Sequence, residues 1–227
     1  MISIYGNCQS KEIVNMLATS KNFMQRYGTS SYQALNYVFE KTHRPVDEIV
    51  ENFKKTDILI YQPLSDKHFP YSTNNLLKYV PTYCTLVSFP YIFNDAIWGY
   101  PVEGNYKDAV NGDFVLPEGY TDILERFNQN VALTKEKESG TTVKLSEFIQ
   151  ENYRETELFY TQNHPTPTII KEVCRQIMEY LQIENDLLEL DVSTYATYYG
   201  DFRWPILQTA LDTFKFKFPI KNQIIQI

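Results

Sequence analysis

The feature that most limits what this chain can fold into is the alternation of short apolar runs with helical stretches. Ile2-Ser3-Ile4-Tyr5 reads as a strand, Gly6 permits a sharp turn, and Ile13, Val14 and Leu17 then share one face of a helix. Asp57-Ile58-Leu59-Ile60-Tyr61 and Cys84-Thr85-Leu86-Val87-Ser88 are further strands of the same kind. A helix precedes each of them. One starts near Pro45 with Val46, Ile49, Val50 and Phe53 at helical spacing, and the other carries Leu76, Leu77 and Val80 and stops at Pro81. Strands separated by helices pair in parallel, so the pattern predicts an α/β fold whose sheet is covered on both faces. At 227 residues the chain fits a single domain, 1–227.

The second half is less regular. Residues 89–120 mix proline, glycine and aromatic residues and read as a long functional loop or lid. Helices are expected after Thr121 and over about Val143–Tyr153. Phe159-Tyr160-Thr161 resembles a strand, and Thr166 is placed to cap a helix that opens on Pro167 and turns Ile170, Val173, Ile177 and Leu181 to the core. Residues 200–227 form a C-terminal extension. There Phe214, Phe216 and Phe218 alternate with Lys215 and Lys217, the period of a half-buried strand that would pair with a sheet edge or with another subunit of a homo-oligomer.

Bulk properties exclude several classes. A formal charge of −7 without a basic block argues against nucleic acid, and no apolar run is long enough for a membrane span. Met1 leads straight into a strand, so no targeting segment is expected, and cytoplasmic localisation follows. Cys8, Cys84 and Cys174 are odd in number and widely spaced, which speaks against a disulfide framework and a cysteine metal knuckle, so no metal is expected. The 18 Tyr and 14 Phe must largely build the core, though tyrosine-rich surfaces also suit sugars.

The chemistry concentrates on a few positions. Ligands of open α/β sheets bind beyond the carboxyl ends of the strands, where Gly6-Asn7-Cys8-Gln9 falls. A thiol at a helix start should ionise below its ordinary pKa of about 8.5, and the N–H groups there could hold an oxyanion. Asn7 and Gln9 would add amide donors. The plain alternative is that Cys8 is a small buried apolar residue. His164 lies just before the helix cap at Thr166, a setting that keeps an imidazole neutral and fit to act as a base. His43 and His68 read as ordinary surface or capping residues. Gln62 ends the strand Asp57–Tyr61 and either faces the site or only precedes Pro63. Lys11 is the cation that the sequence best places for an anionic ligand, against the plainer reading of a solvated lysine.

Gly6-Asn7-Cys8-Gln9, Tyr61-Gln62-Pro63, Phe89-Pro90-Tyr91 with Gly99-Tyr100-Pro101, and Asn163-His164-Pro165-Thr166 occur in this order. Together they resemble the WcbI-type polysaccharide-biosynthesis acetyltransferase family. The resemblance implies a three-layer sandwich similar to SGNH hydrolases, coenzyme A or acetyl-CoA as acyl donor, and a carbohydrate hydroxyl of a capsule or surface glycan as acceptor. It makes Cys8 the nucleophile, His164 the base and Gln62 a polar site residue; beside them Gly6, Asn7, Gln9 and Asn163 are expected as oxyanion or substrate contacts, and Asn163 or a backbone carbonyl as the group that orients His164. SGNH enzymes place an Asp three residues before this His, where this chain has Thr161, so a third triad member is not assigned. An esterase or thioesterase, or a binding module without turnover, would use the same fold.

Overall fold

The computed structural model describes residues 1–28, 31–98, 100–101, 114–116, 122–200 and 202–226. Four parallel strands form its sheet. β1 (Ile2–Gly6) leads into α1 (Cys8–Leu17) and α2 (Lys21–Tyr27), which precede β2 (Ser31–Leu35). Next come α3 (Asn36–Thr42), α4 (Asp47–Phe53), β3 (Ile58–Tyr61), α5 (Thr73–Leu76) and β4 (Thr85–Ser88). The spatial order is β2-β1-β3-β4, every neighbouring pair parallel.

The alternation of side chains along the strands explains the layers. Ile2, Ile4, Ile58, Ile60 and Val87 enter one apolar cluster, which contains Ile13 and Leu17 of α1. Tyr5, Ala34 and Leu59 enter a second cluster, with Phe39 of α3, Ile49, Val50 and Phe53 of α4, and Leu76 of α5. The sheet is therefore covered on both faces, as the sequence pattern predicts. β2 is the strand that the pattern does not reveal. It is an edge strand in which only Ala34 is buried.

The order 2-1-3-4 has a consequence for the site. The chain leaves β1 to one side to make β2, then crosses to the other side to make β3. The connections diverge between β1 and β3, and the carboxyl end of such a switch point is where open α/β sheets bind ligands. Residues 7–9 and Gln62 occupy that position.

The remaining elements are β5 (Tyr100–Pro101), β6 (Phe114–Val115), α6 (Ile123–Glu138), α7 (Ser146–Asn152), β7 (Phe159–Thr161), β8 (His164–Pro165), α8 (Pro167–Tyr180), β9 (Ile206–Leu207), α9 (Gln208–Phe214) and β10 (Ile224–Ile225). Of these, α6, α7, β7, α8, β9 and α9 place residues in the first cluster. α8 packs along α1. It begins at Pro167 as expected, but Thr166 does not cap it, because its hydroxyl donates to the Glu157 carbonyl at 2.7 Å.

Two expectations change. In the segment 89–120, Phe89, Ile92, Ala96 and Trp98 are core residues, so its first part is a packed connection. Arg126 and Asn130 of α6 fasten it by hydrogen bonds to buried Asp95. Gly99 and residues 102–113 and 117–120 of that loop lie outside the described residues. The Phe214–Phe218 alternation is not a strand either. Phe214 ends α9 and Lys215 turns the chain in the left-handed region at φ 49°, after which the three rings pack in sequence, tilted, with centroids 5.6 and 5.1 Å apart. Trp204, Ile206, Leu207, Ala210 and Phe214 belong to the main cluster, so this part of the C-terminal stretch packs into the core.

Candidate active site

Cys8 is the first residue of α1, with Asn7 as its N-cap. The Asn7 Oδ1 accepts the Gln9 N–H at 2.9 Å, and the Asn7 carbonyl accepts both the N–H and the hydroxyl of Ser10. Gly6 is needed here for close approach. A Cβ on it would lie 3.1 Å from Cβ of Gln62 and 3.2 Å from Cβ of Ser10.

Two effects compete at the Cys8 sulfur. The N–H groups of Cys8 and Gln9 stabilise a thiolate, whereas burial and the nearby Glu12 carboxylate oppose it. Burial is the largest, so the thiol pKa is raised above its ordinary value, opposite to the depressed thiol expected from the helix start alone. The free protein should therefore carry Cys8 as a thiol at neutral pH. Its alkylation by iodoacetamide should rise with an inflection above the ordinary thiol range, and an inflection near pH 7 would contradict this balance.

Gln9 takes a different part from the expected one. Its Nε2 donates to the carbonyls of Ile92 (2.7 Å) and Asn163 (2.8 Å). Its Oε1 accepts the Ile92 N–H (3.1 Å) and Nε2 of Gln62 (3.2 Å). Both amide hydrogens are thus committed to the main chain, and Gln9 has no hydrogen left for an oxyanion or ligand. It is a brace that binds together the segments following β3, β4 and β7. Gln62, 6% exposed, keeps its second amide hydrogen, so it remains a candidate donor.

The brace carries Asn163 and His164 to the start of α1. The Asn163 side chain contacts Thr161 (3.3 Å) and Tyr91, so it does not orient the imidazole. Tyr199 does, a residue the sequence reading did not single out. Its ring stacks on His164 at 4.3 Å between centroids and 8° between planes, and its hydroxyl donates to the Pro165 carbonyl. Tyr199 is also close enough to Cys8 for the two to interact electrostatically. His164 Nδ1 is buried without a hydrogen-bond partner, and burial lowers the imidazole pKa. The imidazole is therefore neutral near pH 7, and the cause is burial.

Glu12 was also missed. It lies one helical turn beyond Cys8, is 0% exposed, and has one oxygen accepting the Tyr198 N–H and the other unpartnered. Burial pushes its pKa up to about 7 from 4.5. The folded state thus binds this proton more tightly than the unfolded chain. The associated stability is complete below pH 4.5 and is lost as pH rises toward 7, by ~3 kcal/mol in all. Urea titrations should show this decline in the wild type and a shallower one in Glu12→Gln. Equal slopes would remove Glu12 from the account.

Lys11 lies over the Tyr198 ring at 3.8 Å, so its charge is partly engaged. Among the described residues no group of three His, Cys, Asp or Glu side chains could hold a metal ion, and no helix is long and apolar enough to cross a membrane.

Residues 1–114 and 99–186 match the family model of the polysaccharide biosynthesis enzyme WcbI. The chain belongs to the WcbI family. It is thereby placed among polysaccharide biosynthesis enzymes, and the four motifs around Cys8, Gln62, Tyr91 and His164 fall within the matched residues. A solved WcbI structure aligns at a TM-score of 0.70 over 98% of this chain and 81% of the other, with 22% identity. That likeness shows a shared fold. The protein it depicts is a polysaccharide biosynthesis enzyme in its native form, without a disulfide bond between coenzyme A and one of its cysteines. No curated protein shows significant similarity to the chain.

Proposed function

We propose that this WcbI-family chain is an O-acetyltransferase that moves an acetyl group from acetyl-CoA to a sugar hydroxyl of a polysaccharide or its precursor. Cys8 is the nucleophile and His164 the general base. The observation that carries this reading is that Cys8, on the helix start at the switch point, and neutral His164 share Tyr199 as a neighbour and are tied through Gln9 and Asn163. The coenzyme A named for the solved relative supports the choice of donor.

The raised thiol pKa fits a coupled proton transfer better than a preformed thiolate. His164 takes the Cys8 proton as the sulfur attacks the acetyl carbon. The carbon–sulfur bond to the coenzyme breaks, and the imidazolium proton passes to the departing coenzyme sulfur. The acceptor hydroxyl then gives its proton to His164 while its oxygen attacks the Cys8 thioester. Cys8 leaves and regains the proton from His164. Each half begins and ends with a neutral pair. Transfer between thioesters preserves the acyl group's reactivity, which makes ester formation on a sugar downhill. The N–H of Cys8 is the donor proposed for the oxyanion. Asn7 and Gly6 shape the turn that presents it.

The test is release of coenzyme thiol from acetyl-CoA with and without a glycan acceptor, with ester formation followed by mass spectrometry. Acceptor-dependent release with an alkali-labile acetyl on the glycan supports the reading. Release independent of any acceptor would make the protein a thioesterase.

A further inference from the structure

The four strands of the sheet deliver residues to one cleft of about 500 Å³. Asn7 follows β1, Asn36 follows β2, Gln62 follows β3, and Tyr91 lies just beyond β4. His68 and Lys137 complete its wall. We propose that this cleft is the acceptor subsite, in which a hexopyranose ring lies with one hydroxyl directed to Cys8. The proposal rests on the acetyl-transfer reading above for the identity of the acceptor.

Asn36 is the strongest indicator. It is 8% exposed, and its Oδ1 is buried with no hydrogen-bond partner. A buried amide oxygen left unpaired is costly, and a ligand that donates to it removes that cost. Gln62 presents the opposite polarity, since only one of its amide hydrogens is used. His68 is more than the plain loop residue that the sequence suggests. Glu40 Oε2 lies 3.1 Å from His68 Nδ1, which fixes the ring and leaves Nε2 for a ligand. The cleft thus offers an amide oxygen, an amide N–H and an imidazole nitrogen from separate elements. That mixture suits a ring bearing several hydroxyls, each of which both donates and accepts.

The cleft lies beside the reacting group, with residues next to Cys8 in its lining. Asn7 adjoins Cys8 in the chain, and Tyr91 interacts with the Asn163 side chain and with Cys8. A coenzyme is the poorer occupant, because its phosphates call for converging cations or N–H groups. Among the described lining residues the one permanent cation is Lys137, an exposed side chain 5.4 Å from the Tyr91 ring, and Glu40 stands behind His68.

Saturation-transfer NMR with the methyl α-D-pyranosides of glucose, galactose and mannose tests the subsite without requiring turnover. Two variants accompany the wild type. Asn36→Ala removes the unpaired oxygen, and Ser65→Trp fills the cleft from an exposed rim position, where it leaves the core intact. At least one sugar should receive saturation from the wild type. The signal should fall about tenfold in both variants, while coenzyme A affinity by calorimetry stays within about twofold. Absence of sugar binding, binding unchanged in Ser65→Trp, displacement of sugar by coenzyme A, or loss of coenzyme affinity in Ser65→Trp would each overturn the subsite. Sugar bound through Asn36 with no transfer to any acceptor would sink the transferase reading and leave the subsite standing. Normal acceptor KM in both variants, with transfer intact, would do the reverse.

Discussion

Cys8→Ser and His164→Ala should each lower acetyl transfer by about three orders of magnitude, and the double variant should be little worse than either alone. Residues that act as one unit lose the whole advantage when the first is removed. Serine in place of Cys8 keeps the position on α1 but replaces a thiol by a far less acidic hydroxyl, which His164 cannot deprotonate as readily. Alanine at position 164 removes the proton carrier and also the partner of the Tyr199 ring, so its folding must be checked by circular dichroism. Coenzyme binding should survive in both single variants, because both keep the helix start at residue 8. Rates of the double variant equal to the product of the two single losses would mean that the residues act independently. The dyad would then be wrong.

The second large effect is on stability. Gln9→Leu should cost ~4–6 kcal/mol, because four polar groups lose their partner at ~1–1.5 kcal/mol each. Those groups are the N–H and carbonyl of Ile92, the carbonyl of Asn163 and the amide of Gln62. A loss of that size is a large share of the ~5–15 kcal/mol by which domains are stable. Leucine fills nearly the same volume, so the effect would come from unpaired hydrogen bonds and not from a cavity. The urea midpoint should fall markedly, and activity should fall further than the folded fraction as the His164 segment loosens from α1. A Leu variant within about 1 kcal/mol of the wild type would show that water replaces the brace.

Much of this molecule is legible in its sequence where a periodic signal coincides with a strong core. β1, β3 and α8 are such elements, since their apolar spacing is also their burial. β2 is not legible, because Ser31-Tyr32-Gln33 carry little apolar content and the strand pairs on one side only. The Phe214–Phe218 alternation misleads for another reason. A left-handed residue at Lys215 lets rings two apart pack against one another, tilted, without any sheet.

The site follows the same rule. The positions of Cys8, Gln62 and His164 could be read from the ends of strands and the start of helices. What surrounds them could not. The partners of Gln9 come from 53, 83 and 154 positions away, and His68 meets Glu40 across 28. Tyr199 sits in a tyrosine-rich stretch that composition alone marks as core or sugar-facing. Glu12 carried one usable clue, its spacing of four from Cys8, which puts both on the same helix face. Its burial is a tertiary fact. The thiol pKa went the other way for the same reason, since helix-start geometry is local and burial is not.

The most direct test of the central claim is to look for the acetyl group on the enzyme. The protein is mixed with acetyl-CoA without acceptor, quenched in acid at short times, and measured intact and after digestion. The account predicts an increase of about 42 Da for one acetyl thioester. It should map to the peptide containing Cys8, be absent in Cys8→Ser, and be discharged when a glycan acceptor is added. Full transfer to acceptor with no acetyl on Cys8 at any time, under conditions where a thioester standard survives the quench, would contradict it.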